Sequence, residues 1–375
     1  MQTAKDNIRP MSNELSVLKK EVVDLLMQLI SIPSISKEEN GTADALEKFF
    51  GERGIPTERK FNNVWAKNKY FDPSLPTILL CSHHDTVRPA SGYTRDPFKP
   101  EMADGKLYGL GSNDAGGPLV SLIAAFLHFY DKKDLEYNFI VAPVGEEEIS
   151  GANGVESILP ELGKIDFAVV GEPTGMKLGI TEKGLIVLDC VALGKSGHAA
   201  RSDGDNAIYK ALKDIEWFRN YSFPKISETL GPVKMTVTII HSGTQHNVIP
   251  DKCEFTVDVR TTDVYTNDEV LKVIRENISC EVKPRSGRLK STAISKDHPI
   301  VKAGVSLGRE IFGSPTSSDK ALMPFPALKL GPGDSSRSHG PDEFIYVKEI
   351  EEAVELHIKM LDQVVNRKDA ETQGK

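Results

Sequence analysis

The chain is poor in cysteine, in long apolar runs and in basic charge, and each shortage closes off a class of function. Four cysteines occur in 375 residues, Cys81, Cys190, Cys253 and Cys280, and no two form a CxxC pair. Neither a disulfide framework nor a thiolate zinc site is therefore expected, and a reducing, cytoplasmic setting fits. No apolar run approaches the ~18 residues that cross a bilayer; the longest, around residues 119–129, is broken by Ser121 and His128. The first ten residues lack the apolar stretch of a secretion signal. No membrane partner is expected. Lys and Arg number 46 against 54 Asp and Glu, a net charge of −8 with no basic block, which removes nucleic acid as a partner. Internal repeats and low-complexity stretches are absent as well. What is present is an ordinary globular balance, 39% hydrophobic and 27% charged. The chain exceeds the ~100–200 residues of a typical domain, so two domains are expected.

Apolar spacing predicts amphipathic helices over 15–30 and 43–54, the first broken by Ser31-Ile32-Pro33-Ser34. Strands are expected over 64–70 and 77–81, a buried helix over 116–130, and further strands over 138–144 and 166–170. The 77–81 and 138–144 runs are apolar throughout, as in strands covered on both faces. Strands alternating with helices imply an α/β layer with a mostly parallel central sheet flanked by helices. The middle differs: strand 184–193, helix 206–220, strands 233–241 and 253–261, helix 267–278 and a weak strand at 280–283. That β-α-β-β-α-β order is ferredoxin-like. Alternation then resumes, with a strand at 327–330 and a helix at 347–365; the last ten residues are polar and expected to fray. The fold class is thus α/β, a discontinuous catalytic domain (1–182 and 293–375) with an inserted ferredoxin-like α+β lid or dimerisation domain (183–292).

Polar residues gather just beyond strand ends, where open α/β sheets hold their ligands. Ser82-His83-His84-Asp85 places a histidine and an aspartate two apart, so that in extended chain a carboxylate can orient an imidazole for metal. Two loop histidines beside a capping aspartate are the alternative. The segment 107–117 is rich in glycine, but Asp114 stands where a dinucleotide fingerprint needs its third glycine, and no convincing strand precedes it. Asp114 reads either as a metal ligand on a glycine-shaped turn or as a helix N-cap. Glu146-Glu147-Glu148 puts three carboxylates in a row with nothing basic nearby in sequence. A bound cation would offset their repulsion, while a helix's first turn would explain one or two of them. Gly171-Glu172-Pro173-Thr174 and Gly331-Pro332-Gly333-Asp334-Ser335-Ser336-Arg337-Ser338-His339 each have a plain loop explanation when taken singly. Together they supply oxygen and imidazole donors without sulfur, a set suited to zinc, cobalt or manganese in a catalytic site.

The order of these motifs, with Pro341-Asp342-Glu343 after His339, resembles the dinuclear-zinc amidohydrolases and exopeptidases that include acetylornithine deacetylase, succinyl-diaminopimelate desuccinylase, aminoacylase and glutamate carboxypeptidase. The resemblance runs over roughly residues 22–350. It implies a cofactor of two divalent ions, most simply zinc, with cobalt or manganese as other fits. His83 and Glu172 would hold one ion, Glu148 and His339 the other, and Asp114 would bridge them. Asp85 would orient His83, and Glu147 would be the general base. A one-residue slip in the alignment would move the last two glutamate roles to Glu146 and Glu147; Ile149 and Gly151 favour the register given. In the inserted domain, His198 of Gly194-Lys195-Ser196-Gly197-His198 would reach a partner subunit's active site and hold the developing oxyanion, which implies a homodimer. Asn247 and Arg260 would hold the substrate carboxylate; a turn asparagine and a strand-end surface charge are their plain readings. Two departures bear on substrate preference: Ala115-Gly116-Gly117 stands where many relatives carry Met-Lys-Gly, and Tyr93 replaces a common tryptophan.

The expected activity is therefore metal-dependent hydrolysis of the amide of a small-molecule N-acyl-L-amino acid. The loop from Gly331 to His339 looks most like acetylornithine and acetylcitrulline deacetylases, which implies a place in arginine biosynthesis. A succinyl-amino acid desuccinylase, a metallo-aminopeptidase or dipeptidase, and a catalytically silent binding module of the same fold are the alternatives.

Overall fold

The computed structural model describes residues 9–366, and side chains from Glu14 onward. The polar tail expected to fray lies, beyond Asn366, outside the described residues. The chain forms two compact units. The first comprises Met1–Ile180, Ile294–Phe312 and Ser318–Lys375 as far as these are described; the second comprises Thr181–Ala293 and Gly313–Ser317.

In the first unit, the central strands lie in the order Asn63–Lys67, Asn138–Val144, Thr77–His83, Phe167–Val170, Ala327–Lys329 and Leu178–Glu182, the last of which ends in the second unit. The middle four run parallel, and antiparallel neighbours flank them. Successive side chains leave opposite faces of a strand, so Ile78 and Leu80 join one core cluster while Leu79 and Cys81 join another. With both faces covered, every residue of Thr77–His83 and of Asn138–Val144 is buried. The helices Arg9–Ile30, Asn40–Gly51, Gly117–Phe129 and Val347–Val365 contribute to the first cluster, and Val155–Leu162 to the second. Gly117–Phe129 begins with Pro118 in its first turn, where a missing N–H costs nothing, and nearly all of it is buried.

The second unit is an antiparallel sheet in the order Lys234–Ser242, Lys252–Thr261, Gly184–Leu193, Glu281–Pro284. In chain order these are its second, third, first and fourth strands, the ferredoxin-like arrangement. Gly184–Leu193 alternates between buried and more exposed positions, as a sheet with one covered face should. Ile186, Leu188, Cys190, Phe255 and Val257 pack with Ala211, Phe218, Val270 and Ile274 of helices Ala207–Asn220 and Asn267–Asn277. Asn206 caps the first helix, and Thr266 with Glu269 forms a capping box on the second.

Several short elements depart from the sequence reading. A strand does precede the 109–117 turn: Lys106–Tyr108 pairs with Glu101–Ala103 and Phe344–Tyr346, three residues each and too short to signal themselves. Helices Val155–Leu162 and Pro299–Ser306 and the strand Leu178–Glu182 are likewise additions. The expected 43–54 helix sits at Asn40–Gly51 and yields to a turn at Gly54, whose φ is +68°. No described helix is long and apolar enough to cross a membrane.

Candidate metal centre

Four parallel strands end on one rim, and the polar motifs follow directly from their ends. His83 closes Thr77–His83, Glu147 and Glu148 come just after Asn138–Val144, Glu172 comes after Phe167–Val170, and the loop to His339 follows Ala327–Lys329. Asp114 arrives from a tight turn over Ser112–Gly116, ahead of helix Gly117–Phe129. Its backbone is extended there (φ −122°, ψ 97°), so it is a side chain presented by a turn rather than a cap on the helix.

The side chains form two groups with one member in common. His83, Asp114 and Glu172 offer ligand atoms within 4.8 Å of one another, and so do Asp114, Glu148 and His339. Asp114 Oδ1 lies 3.3 Å from His83 Nε2, and its Oδ2 lies 3.7 Å from His339 Nε2. His339 Nε2 is 3.0 Å from Glu148 Oε2, and His83 Nε2 is 4.0 Å from Glu172 Oε1. The two oxygens of one carboxylate thus face different groups, the geometry of a shared ligand. Glu147 Oε2 stands 4.0 Å from His83 Nε2. Glu146 turns away to Asn153, accepting from its Nδ2 at 3.0 Å and its backbone N–H at 3.3 Å. The three adjacent glutamates are therefore divided, and Glu147 and Glu148 are the pair at the cluster.

Charge states follow from crowding. Burial chiefly pushes the Glu147 carboxyl well above its ordinary range; His83 pulls against this, while Glu172, Asp319 and Glu148 add to it. Burial disfavours protonation of His83, yet hydrogen bonds to Asp114 and Asp85 lift its pKa well above the usual imidazole value. The hydrogen bond to Glu148 raises His339 to about 9, against partial burial. Two imidazoles lifted in this way report a strongly negative field, the field that draws divalent cations. The donors, carboxylate oxygen and imidazole nitrogen without sulfur, match a catalytic site for zinc or manganese.

Supporting contacts fix the donors. His83 Nδ1 lies 3.0 Å from the Asp85 carbonyl and 3.5 Å from its carboxylate, which sets Nε2 as the nitrogen facing Asp114 and Glu172. The buried Asp85 carboxylate also accepts from the amides of Glu147 (3.1 Å) and Glu148 (3.2 Å) and from Ser36 Oγ (2.7 Å). Asp85 therefore ties two glutamates to the histidine, more than the orienting part the sequence suggests. His84 points elsewhere, held by the Thr42 hydroxyl and the Asn62 carbonyl at 2.8 Å each. Gly111 needs its φ of +77°, and a Cβ there would stand 2.6 Å from Thr86 Cγ2.

Sequence reasoning overlooked two residues. Lys329, buried, has its Nζ 4.0 Å from Glu172 Oε2 and brings a basic group to the cluster. A lysine inside the apolar strand Ala327–Lys329 was the available signal. Glu343 belongs to a motif already singled out, but nothing local revealed its partners, the amides of Gly111, Asn113 and Asp114.

In the second unit, His198 and Asn247 lie close together on exposed chain: Ala199 N donates to Asn247 O at 3.0 Å, and Gly197–His198 pairs with Val248–Ile249. Arg260, half-buried on Lys252–Thr261, stands apart from them in the sheet. Its Nε and Nη2 fork donates to Asp258 at 2.8 and 3.0 Å. The edge that suits a substrate carboxylate is thus held by a neighbour two residues away on the same strand face, while Nη1 makes no hydrogen bond among the described residues.

The profile of peptidase family M20/M25/M40 matches residues 79–363. Succinyl-diaminopimelate desuccinylase of Wolbachia pipientis wMel is 28% identical over 365 residues, covering 91% of this chain and 86% of that protein. The desuccinylase of the Wolbachia strain from Culex pipiens is 30% identical over 278 residues, 69% of each chain. Among solved structures, aminopeptidase PepT from Bacillus cereus matches with a TM-score of 0.75 at 19% identity, covering 92% of this chain and 98% of that one. The YXEP protein of Bacillus subtilis, described as a dinuclear metal-binding peptidase, matches with a TM-score of 0.70 at 16% identity, covering 94% and 99%. At such identities these structures speak for the fold.

Proposed function

This chain belongs to peptidase family M20/M25/M40, and from that premise we propose that it hydrolyses the amide bond of an N-acyl-L-amino acid at a centre of two divalent ions, zinc in the simplest case. His83, Asp114 and Glu172 would hold one ion and Asp114, Glu148 and His339 the other. The observation that carries the reading is Asp114, whose two oxygens face separate ligand groups with Glu147 beside them. When bound, the ion pair acidifies a water and polarises the scissile carbonyl. Glu147 accepts the proton of the attacking water and delivers it to the departing nitrogen. Asp85 keeps His83 in one tautomer and holds the two glutamate amides, so acid, base and ligands stay in register. His198, contributed by a partner subunit together with the neighbouring Asn247, donates to the developing oxyanion, and Asn247 and Arg260 Nη1, which makes no hydrogen bond among the described residues, hold the substrate carboxylate.

An open edge supports the reading that the protein is a homodimer through the second unit. Lys234–Ser242 is paired on one side only, and Ile239 and Ile240 on it are 45% and 49% exposed. An open strand bearing apolar groups invites a second copy. All four cysteines are free thiols, three of them buried, which suits the cytoplasm.

The loop from Gly331 to His339 supports an acetyl group on ornithine or citrulline, hence arginine biosynthesis. A second reading, removal of a succinyl group, is favoured by the desuccinylases similar over most of the chain, and it would place the enzyme in lysine biosynthesis. Measuring released acid from acetyl- and succinyl-amino acids, with free dipeptides alongside, separates these arms. Acid release from the acylated substrates, lost on chelation and restored by zinc, is the expected result. Hydrolysis of dipeptides alone, or a purified protein that carries no divalent metal and takes up none, overturns the proposal.

A further inference from the structure

We infer that Glu343 is a positioning residue: its carboxylate shapes the turn that presents Asp114 and thereby sets how tightly the centre holds its metal. The inference rests on the reading of Asp114 as the shared ligand.

Glu343 comes just before the strand Phe344–Tyr346 and is 3% exposed. Three amides converge on its side chain. Gly111 N donates to Oε2 at 3.0 Å, while Asn113 N and Asp114 N donate to Oε1 at 2.8 and 2.9 Å. Its own carbonyl accepts from Gly109 N at 3.0 Å. The amides of a turn normally close on the turn itself or on the helix that follows; here they end on one residue from a distant part of the chain. Asn113 adds a second tie, its Oδ1 accepting from Asp334 N at 3.0 Å and its Nδ2 donating to Asp334 O at 3.1 Å.

The chemistry asks for a carboxylate. Three N–H donors face two oxygens, and only a group that accepts at both positions satisfies them all. Glutamine has the same shape but must place an NH2 where one oxygen sits. That leaves at least one buried amide facing a donor, and the turn has to open to relieve it. Because the Asp114 amide belongs to the set, opening moves the carboxylate that both ligand groups share. Partners that orient metal ligands without touching the ion typically change affinity by about 10–100-fold when removed.

The adjacent residue supplies an internal control. Asp342 makes the same kind of clamp, accepting from Thr94 N at 2.9 Å and Arg95 N at 3.0 Å, but on a loop that carries no proposed ligand. Two neighbouring carboxylates thus hold two loops, and only one of those loops carries a proposed ligand.

The test uses full-length protein stripped with a chelator and titrated with zinc against a chromophoric competitor, together with melting of the stripped and zinc-loaded forms. Glu343→Gln is expected to bind zinc about 10–100-fold more weakly and to show a smaller zinc-induced rise in Tm, while Asp342→Asn titrates like the parent. Equal zinc affinity in parent and Glu343→Gln overturns the inference, as does a variant whose two melts fall together with an unchanged gap. If Glu343→Gln does not fold, Glu343→Asp carries the same comparison, since it keeps the charge but withdraws the oxygens from the amides. A parent that takes up no zinc overturns the metal-centre reading itself; a parent that binds and a variant that binds equally well overturn this inference alone.

Discussion

The sheets of the two units treat polar side chains in opposite ways. In the first unit, Thr77–His83 and Asn138–Val144 are buried at every position, so no charged group can leave a strand before it ends. Parallel strands all end on the same side, and the polar residues crowd there: His83, Glu147, Glu148 and Glu172, with Asp114 and His339 brought in from loops. In the second unit one face of the sheet is uncovered, and charged residues occur along the strands, where they pair with one another. Asp189 receives Arg285 at 2.8 Å, and Arg260 is forked onto Asp258. Covering both faces therefore concentrates like charge at a rim until something must neutralise it, whereas leaving one face open lets charges disperse and cancel. The first arrangement makes a reactive centre and the second a surface.

Four changes probe this contrast. The largest effect belongs to Glu147→Gln, which keeps shape but cannot carry the proton: kcat should fall about 10³-fold with metal content unchanged by elemental analysis. A fully active variant would remove the rim as the seat of chemistry.

Next is a polar group that the first unit buries without a hydrogen-bond partner among the described residues. His357, on helix Val347–Val365, has neither ring nitrogen hydrogen-bonded among the described residues, and burial pulls its pKa from 6.5 to about 3. Because the folded value lies below the unfolded one, the unfolded chain takes the proton first. Its stabilising share is complete above pH 6.5 and is lost as pH falls toward 3, about 3 kcal/mol by pH 4.5. His357→Met should flatten that part of the pH–stability curve measured by urea unfolding, and should gain about 1–3 kcal/mol at neutral pH by removing unsatisfied buried nitrogens. Parallel curves for parent and variant would rule the histidine out.

His198→Ala tests whether the second unit takes part in chemistry. A drop of about 10² in kcat with unchanged zinc content is expected, and an unaltered kcat would confine the unit to assembly. The smallest effect on stability is expected of Ile240→Lys on the open edge strand, within about 0.5 kcal/mol. The same change should nonetheless lower the mass seen in sedimentation, and a mass equal to that of the parent would direct the search for the dimer contact elsewhere.

Much of the architecture could be read locally. The strands Asn138–Val144 and Gly184–Leu193 and the helix Val347–Val365 match their expected limits end to end, because the strands are bounded apolar runs and the helix carries a sustained 3.6-residue period. Lys106–Tyr108, Leu178–Glu182 and Val155–Leu162 could not be read: they are short, and the last contains Pro160. Such pieces exist because a neighbour pairs with them or covers them. The site divides in the same way. His83, Asp114, Glu147, Glu148, Glu172 and His339 stand in recognisable motifs, whereas Lys329 and Glu343 act through partners remote in the chain.

Local pattern and residue chemistry were enough to specify the class of fold, the strand ends where chemistry gathers and the kind of donor found there, since period and side-chain type act over a few residues. Folding alone decided that Asp114 divides its oxygens between two groups, that Glu146 turns to Asn153 while Glu147 and Glu148 face the cluster, and that Glu343 holds the turn. Those outcomes depend on distances between segments far apart in the chain, and such distances exist only once the sheet has assembled and its loops have closed over one rim.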